Sequence, residues 1–332
     1  MIKKIDFLAI GDIVTDTFIK LKDAHIHCKI NTDSCELCMN FGDKIPYDSL
    51  YVIHAVGNSP NAAVSAARLG LNTGLVTHIG SDQNGKDCLE VLKKEGIVTS
   101  YVKMERDKNT NNHFVLWYDV DRTILIKHTE FDYEFPKNLE IPSWIYLSSI
   151  ASNSLPYHKT LASYLKKNPE IKLAFQPGTF QMKFGVENLK EIYERTEIFF
   201  CNLEESQRIL KTENDDVLAL SKGIAALGPK MVVISDGPKG AYLYIDGELW
   251  HNSIYPDITP PLERTGAGDA FSSTFTAALA LGKSPLEAFT WGPINSMSVV
   301  QHVGAQAGLL TRKKLEEYLK VAPESYKLTK IN

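Results

Sequence analysis

Short, continuously apolar runs that alternate with stretches of helical spacing are the feature of this chain that most restricts its fold. The runs lie at 5–10 (IDFLAI), 74–80 (GLVTHIG), 144–150 (WIYLSSI), 171–175 (IKLAF), 197–201 (EIFFC) and 231–235 (MVVIS). Runs of this length that do not alternate with polar residues suit strands buried on both faces. Between them, apolar residues recur at three- and four-residue spacing near 155–166, 204–211 and 215–227, and earlier over NSPNAAVSAARLG and 84–95. Asn58 or Ser59 can cap the NSPNAAVSAARLG helix, Pro60 suits its first turn and Gly70 stops it. The last third reads as helices over 268–281, 285–302 and 311–319. Alternation of this kind predicts a doubly wound α/β fold, a mostly parallel sheet flanked by helices.

Two stretches break the alternation. Residues 24–50 are polar, carry cysteines and contain Gly42 and Pro46, so they read as an insertion. Residues 113–128 hold two β-rich runs around a polar DVDR turn, which is hairpin chemistry. With no internal repeat or low-complexity tract, the 332 residues predict a single domain over 1–332 carrying a small β lid from about 17–55 and 108–130.

The formal net charge of −4, with Lys and Arg scattered among acids, offers no basic field for a nucleic acid. No apolar run approaches the roughly twenty residues of a membrane helix. The start MIKKIDFLAIGD passes directly into a strand pattern, so a cytoplasmic protein is expected. Five cysteines, at 28, 35, 38, 88 and 201, are an odd number without a secretion signal, and reduced thiols are expected. His25, His27, Cys28, Cys35 and Cys38 contain a CxxC and enough soft ligands for a tetrahedral zinc. A second CxxC or HxxxH at standard spacing is missing, and free thiols are the preferred reading.

The stretch that carries chemistry is Glu263-Arg264-Thr265-Gly266-Ala267-Gly268-Asp269, running straight into the amphipathic AFSSTFTAALALG. Asp269 therefore falls in a first helical turn. Gly266, Ala267 and Gly268 let backbone N–H groups crowd around a phosphate, and the helix N-terminus adds positive potential. The same N-terminus favours ionised Asp269, which can accept the proton of an attacking hydroxyl. Taken alone, a GxGD is an ordinary tight turn before a helix.

The wider arrangement resembles the ribokinase-like (PfkB-type) family of carbohydrate and nucleoside kinases. The early signature looks like Gly57-Asn58-Ser59-Pro60-Asn61-Ala62-Ala63, and the late one like Thr265-Gly266-Ala267-Gly268-Asp269. The resemblance implies a ribokinase-like fold and transfer of the γ-phosphoryl group of ATP to a hydroxyl of a small sugar, sugar derivative or nucleoside. It implies Asp269 as base and an anion hole over Gly266, Ala267 and Gly268. Asp16, Gly57, Asn58 and Asn61 would line the acceptor pocket. Asn202, Ser235, Gly237 and Gly240 would contact the nucleotide, with Glu205 holding Mg²⁺ through water. Carbonyls around Thr265, Val299, His302 and Gly304 match a site for K⁺, and paired lids imply a homodimer.

The chain departs from the family pattern at three places. Glu263 followed by Arg264 stands where an aspartate is usual, Val56 replaces the first glycine of the early pair, and the 24–50 insertion is long. Two rival readings remain. A nucleoside kinase would need an aromatic slot, which Phe114, Trp117 and Tyr118 offer. A non-catalytic sugar or nucleotide sensor would keep the fold without turnover. A dinucleotide oxidoreductase is disfavoured because no GxGxxG follows the first strand.

Overall fold

A computed structural model describes residues 4–28, 35–118 and 121–331. Residues 29–34 of the insertion, and Asp119 and Val120 of the expected hairpin turn, lie outside the described residues. The strands, in chain order, are β1 (Phe7–Ile10), β2 (Val14–Leu21), β3 (His25–Cys28), β4 (Cys35–Cys38), β5 (Tyr47–Val56), β6 (Thr73–Gly80), β7 (Val102–Glu105) and β8 (Asn111–Tyr118). There follow β9 (Asp121–Leu125), β10 (Trp144–Leu147), β11 (Lys172–Phe175), β12 (Thr196–Asn202), β13 (Met231–Ser235), β14 (Ala241–Ile245), β15 (Glu248–Asn252) and β16 (Thr329–Lys330). The helices are α1 (Asn58–Arg68), α2 (Gln83–Lys94), α3 (Leu155–Lys167), α4 (Thr179–Asn188), α5 (Lys190–Arg195), α6 (Leu203–Leu210), α7 (Val217–Ala225), α8 (Ala267–Ala280), α9 (Pro285–Val299) and α10 (Arg312–Lys320).

Among the described residues the large sheet runs β16-β15-β14-β13-β12-β11-β10-β1-β6-β7. From β13 through β10, β1 and β6 to β7 every pairing is parallel, while β13-β14, β14-β15 and β15-β16 are antiparallel. The apolar runs are continuous because alternate residues enter two cores. Phe7, Ala9, Ala174 and Val233 pack with helices α1, α2, α8 and α9, whereas Leu8, Ile10, Leu173 and Val232 pack with α3, α5 and α7. The antiparallel edge β14–β16 escaped the sequence reading, since edge strands half-exposed to water lack the continuous apolar run.

The expected hairpin is β8–β9, and it belongs to a second sheet ordered β5-β2-β8-β9, with β2 and β8 parallel. Strand β1 lies between β10 and β6, so the chain order reverses there. Ligands bind outside the carboxyl ends of parallel strands at such a reversal. Asp12, Ser148, Gln176, Asn202 and Ser235 all lie at that edge.

The cysteine expectation is corrected. Antiparallel β3 and β4 place Cys28 opposite Cys35, where they form a disulfide, leaving Cys38, Cys88 and Cys201 free. Zinc finds no support: His25 and Cys38 pair three residues along the ladder, on its other face, and among the described residues no group of His, Cys, Asp or Glu is placed to hold a metal.

Candidate active site

Helix α8 begins at Ala267 after Gly266, whose φ of 82° lies in the left-handed region. A Cβ there would lie 2.3 Å from Ala305 Cβ and 2.6 Å from its Cα, so conformation and space both demand glycine. Gly268 is the opposite case: a Cβ at that position would meet nothing within 4 Å. Its backbone is exposed beside the first helical turn, open to a ligand at the positive end of the helix. Glu263, 4 % exposed, ties this turn to the following loop, accepting from Thr265 N at 3.0 Å and Gly304 N at 3.1 Å. The longer side chain that departs from the family pattern thus spans two loops.

Asp269 is buried in the third position of α8 and receives three amides. Asn58 Nδ2 donates to Oδ1 at 2.7 Å, Gln176 Nε2 to Oδ1 at 3.2 Å and Asn61 Nδ2 to Oδ2 at 2.8 Å. A carboxylate offers about four lone-pair sites, so Oδ2 keeps the spare one. Burial pushes the Asp269 carboxyl above the usual carboxylate range; the donors from Asn61, Asn58 and Gln176 oppose this, and the nearby Asp16 charge adds to the rise.

Both asparagines come from the start of α1, and the cap assignment is corrected: Gly57, φ 115°, is the cap, and no side chain caps the helix. Ser59 Oγ instead donates to Ile10 O at 2.7 Å, pinning α1 to the end of β1. That frees Asn58 and Asn61 for Asp269. Asn61 is itself held by Gln306, whose Nε2 donates to Asn61 Oδ1 at 3.0 Å.

Gln176 escaped the sequence reading. Its signal is positional: a polar residue directly after a buried parallel strand, followed by Pro177-Gly178. Its Oε1 accepts from Tyr146 OH and from Ser272 Oγ, both buried, so the amide is oriented before any ligand arrives.

Asp16 lies on β2 opposite His113 of β8, with Oδ1 3.5 Å from Nδ1. Asp12 accepts from Tyr133 OH at 2.7 Å and stands 3.9 Å from His128. Burial pushes the Asp12 carboxyl up to about 7, against the Tyr133 hydrogen bond. The aromatic slot is corrected in part: because β8 alternates faces and His113 looks toward Asp16, Phe114 points the other way, in a row with Val52 and Leu125, as does Tyr118, whereas Trp117 keeps the His113 face and is buried.

At the carboxyl end of β12, Asn202 caps α6. Its side chain accepts from Glu205 N at 2.8 Å, and Glu205 Oε2 accepts from Asn202 N at 2.9 Å. Burial raises the Glu205 pKa, the Asn202 backbone N–H and then the Arg208 charge lower it, and the Asp269 charge adds a smaller rise. Ser235 ends β13, followed by a tight turn over Gly237–Lys239 and then Gly240. Near the late motif, Thr265 Oγ1 is buried without a partner, and His302 Nδ1 lies 3.0 Å from Ser298 O. Val299 O accepts from His302 N at 3.0 Å.

A doubly wound sheet with a glycine-framed helix start and an amide-clamped carboxylate at its carboxyl edge defines a phosphotransferase of the sugar and nucleoside kinase type. The chain belongs to the pfkB family of carbohydrate kinases, whose model matches residues 19–312. It is 24% identical over 263 residues to a nucleoside kinase of Methanothermobacter thermautotrophicus, covering 76% of this chain and 80% of that one. It is 24% identical over 317 residues to an ATP-dependent 6-phosphofructokinase of Thermoanaerobacterium thermosaccharolyticum, covering 91% and 90%. Among solved structures, Arabidopsis thaliana ribokinase complexed with ribose and ATP superposes with a TM-score of 0.79 at 24% identity, over 96% of this chain and 99% of that one. Among the described residues no helix is long and apolar enough to cross a membrane.

Proposed function

We propose that the chain transfers the γ-phosphoryl group of ATP to a hydroxyl of a small sugar or sugar derivative, with Asp269 as base and the N–H groups of Gly266, Ala267 and Gly268 as anion hole. The observation that carries this reading is Asp269 itself, clamped by three amides beside the open backbone of Gly268. The acceptor oxygen attacks the γ-phosphorus, its proton passes to Asp269 Oδ2, and the bond to the β–γ bridging oxygen breaks, releasing ADP. N–H groups at the start of α8 stabilise the charge on the phosphoryl group, the Ala267 N–H exchanging its 3.5 Å contact with Arg264 O for a phosphate oxygen.

Asn202, Ser235, Gly237 and Gly240 edge the strand ends where the nucleotide would lie. Glu205, half-buried and charge-coupled to Asp269, fits a role toward Mg²⁺ through water. When bound, that ion neutralises phosphate charge. For K⁺, the orphaned Thr265 Oγ1 supports a polar ligand near Val299, His302 and Gly304. The β5-β2-β8-β9 sheet acts as the lid, and its outer face, with Leu50, Val52, Phe114 and Leu125 exposed, pairs with a second copy.

A nucleoside acceptor is the second reading, because Phe180 meets His128 edge-on at 5.4 Å beside the acceptor carboxylates and offers a surface for a base. ADP release measured with ribose, fructose, ketodeoxygluconate, adenosine, inosine and cytidine separates the two readings. Asp269→Asn abolishes turnover while calorimetric ATP binding persists. Turnover undiminished in that variant refutes the assignment of the base, and ligand binding without turnover across the panel marks a sensor.

A further inference from the structure

Four buried polar atoms around Asp12 and Asp16 have no hydrogen-bond partner: Asp12 Oδ2, Asp16 Oδ1, His113 Nε2 and His128 Nδ1. Such orphans each cost about 1–3 kcal/mol if left unpaired, so four in one place signal a ligand that completes them. They are one cluster. His113 and His128 meet edge to face at 5.4 Å, His113 faces Asp16 across β2 and β8, and His128 faces Asp12. In the Asp12 half the two orphaned atoms face each other, Asp12 Oδ2 standing 3.9 Å from His128 Nδ1, whereas in the Asp16 half Oδ1 stands 3.5 Å from His113 Nδ1 and the orphaned Nε2 lies on the other side of that ring. A hydroxyl is the group that satisfies such a pair, donating to the carboxylate while accepting from the ring N–H.

The charge of the cluster narrows the ligand further. Asp12, Asp16 and Asp269 bring carboxyl groups, and no lysine or arginine faces them among the described contacts of these side chains. Lys108 is bound by Glu105 at 2.8 Å and Asp132 at 3.4 Å. Lys127, next to His128, lines a separate cavity of about 460 Å³ with Asp82, Asn112 and Phe114, on the other face of β8. Arg122, opposite Trp117, shares the His113 face of the smaller sheet but stands four residues along β8 from His113, so a phosphate or carboxylate seated at Asp12 and Asp16 themselves would meet like charge.

We propose that Asp12, Asp16, His113 and His128 form an acceptor subsite for two neighbouring hydroxyls of an uncharged sugar, and that this subsite turns away acceptors carrying phosphate or carboxylate. The proposal rests on the kinase reading above. It makes His113 and His128, which no motif marks, determinants of specificity.

The test uses the full chain with ribose, fructose and adenosine against fructose 6-phosphate and ketodeoxygluconate, reading both calorimetric binding and ADP release. A neutral acceptor binds and is phosphorylated. In His113→Ala and His128→Ala its KM rises tenfold or more while the KM for ATP and the melting temperature stay within error. Should an alanine variant fail to fold, His113→Asn and His128→Asn keep a polar side chain and carry the same expectation of a raised acceptor KM. A phosphorylated or acidic acceptor with the lowest KM overturns the subsite and leaves the kinase reading intact. Neutral sugars that bind through the histidines without ever being phosphorylated sustain the subsite and overturn the kinase reading. Absence of binding by every neutral compound, or an unchanged acceptor KM in both folded histidine variants, overturns the subsite.

Discussion

Gly266 and Gly268 stand two residues apart in the same turn, yet alanine at each has a different consequence. At Gly266, with φ of 82°, alanine enters a left-handed conformation that costs about 1–2 kcal/mol. Its Cβ also falls 2.3 Å from Ala305 Cβ, an overlap that costs about 1–3 kcal/mol when the surroundings shift. Together that is about 2–5 kcal/mol. For 332 residues the unfolding entropy is roughly 0.7 kcal/mol/K, so the melting temperature falls by about 3–7 °C. Moving the turn by even about 1 Å displaces Asp269 and the anion hole proposed above, and activity drops about 100-fold.

At Gly268, where a Cβ meets nothing, alanine leaves the melting temperature unchanged or slightly higher, because glycine in a helix costs about 0.5–1 kcal/mol. Its methyl occupies the space proposed for phosphate, so kcat/KM for ATP falls. Calorimetric melting and steady-state kinetics on both variants form the assay. Ala305→Gly in the Gly266→Ala background recovers part of the stability, since it removes the Cβ contact but leaves Ala305 Cα at 2.6 Å. A Gly266→Ala protein with native melting temperature refutes the steric argument, and a fully active Gly268→Ala protein refutes the placement of the phosphate.

Three further expectations follow from side chains around the site. Gln176→Ala removes a donor that lowers the Asp269 pKa, so the acidic limb of the kcat profile moves to higher pH and kcat below it falls about 10- to 100-fold, from a charge-assisted bond of about 1.5–3 kcal/mol. The acceptor KM holds steady, and an unmoved limb speaks against the clamp. Asp12, raised from 3.8 to about 7 in the folded protein, contributes stability that is present below pH 4 and lost as pH rises through about 7. Asp12→Asn removes this dependence, so urea unfolding shows the wild type losing roughly 4 kcal/mol relative to the variant across that window, and parallel profiles count against it. Phe114→Asp, on the exposed face of the smaller sheet, converts a dimer to a monomer in sedimentation equilibrium; a wild type already monomeric at micromolar concentration removes the pairing.

Much of the main sheet was legible in the spacing of residues. Continuous apolar runs marked β1, β6, β10, β11, β12 and β13, because strands buried on both faces need apolar residues at every position, and the glycines before Asp269 marked the start of α8. These are local properties, carried by neighbours in sequence. The clamp on Asp269 is not local: Asn58, Asn61 and Gln176 lie 211, 208 and 93 residues away along the chain, and only the packing of α1 and β11 against α8 brings them to one carboxylate. Likewise the pairing of β8 with β2 decided that His113 faces Asp16 while Phe114 turns outward, since a one-residue change of register reverses every side chain on a strand. Sequence alone thus determined which segments fold and where the glycine turn before α8 begins. Tertiary structure decided which distant side chains share the site, because strand order and register arise from contacts between segments that periodicity within each one does not record.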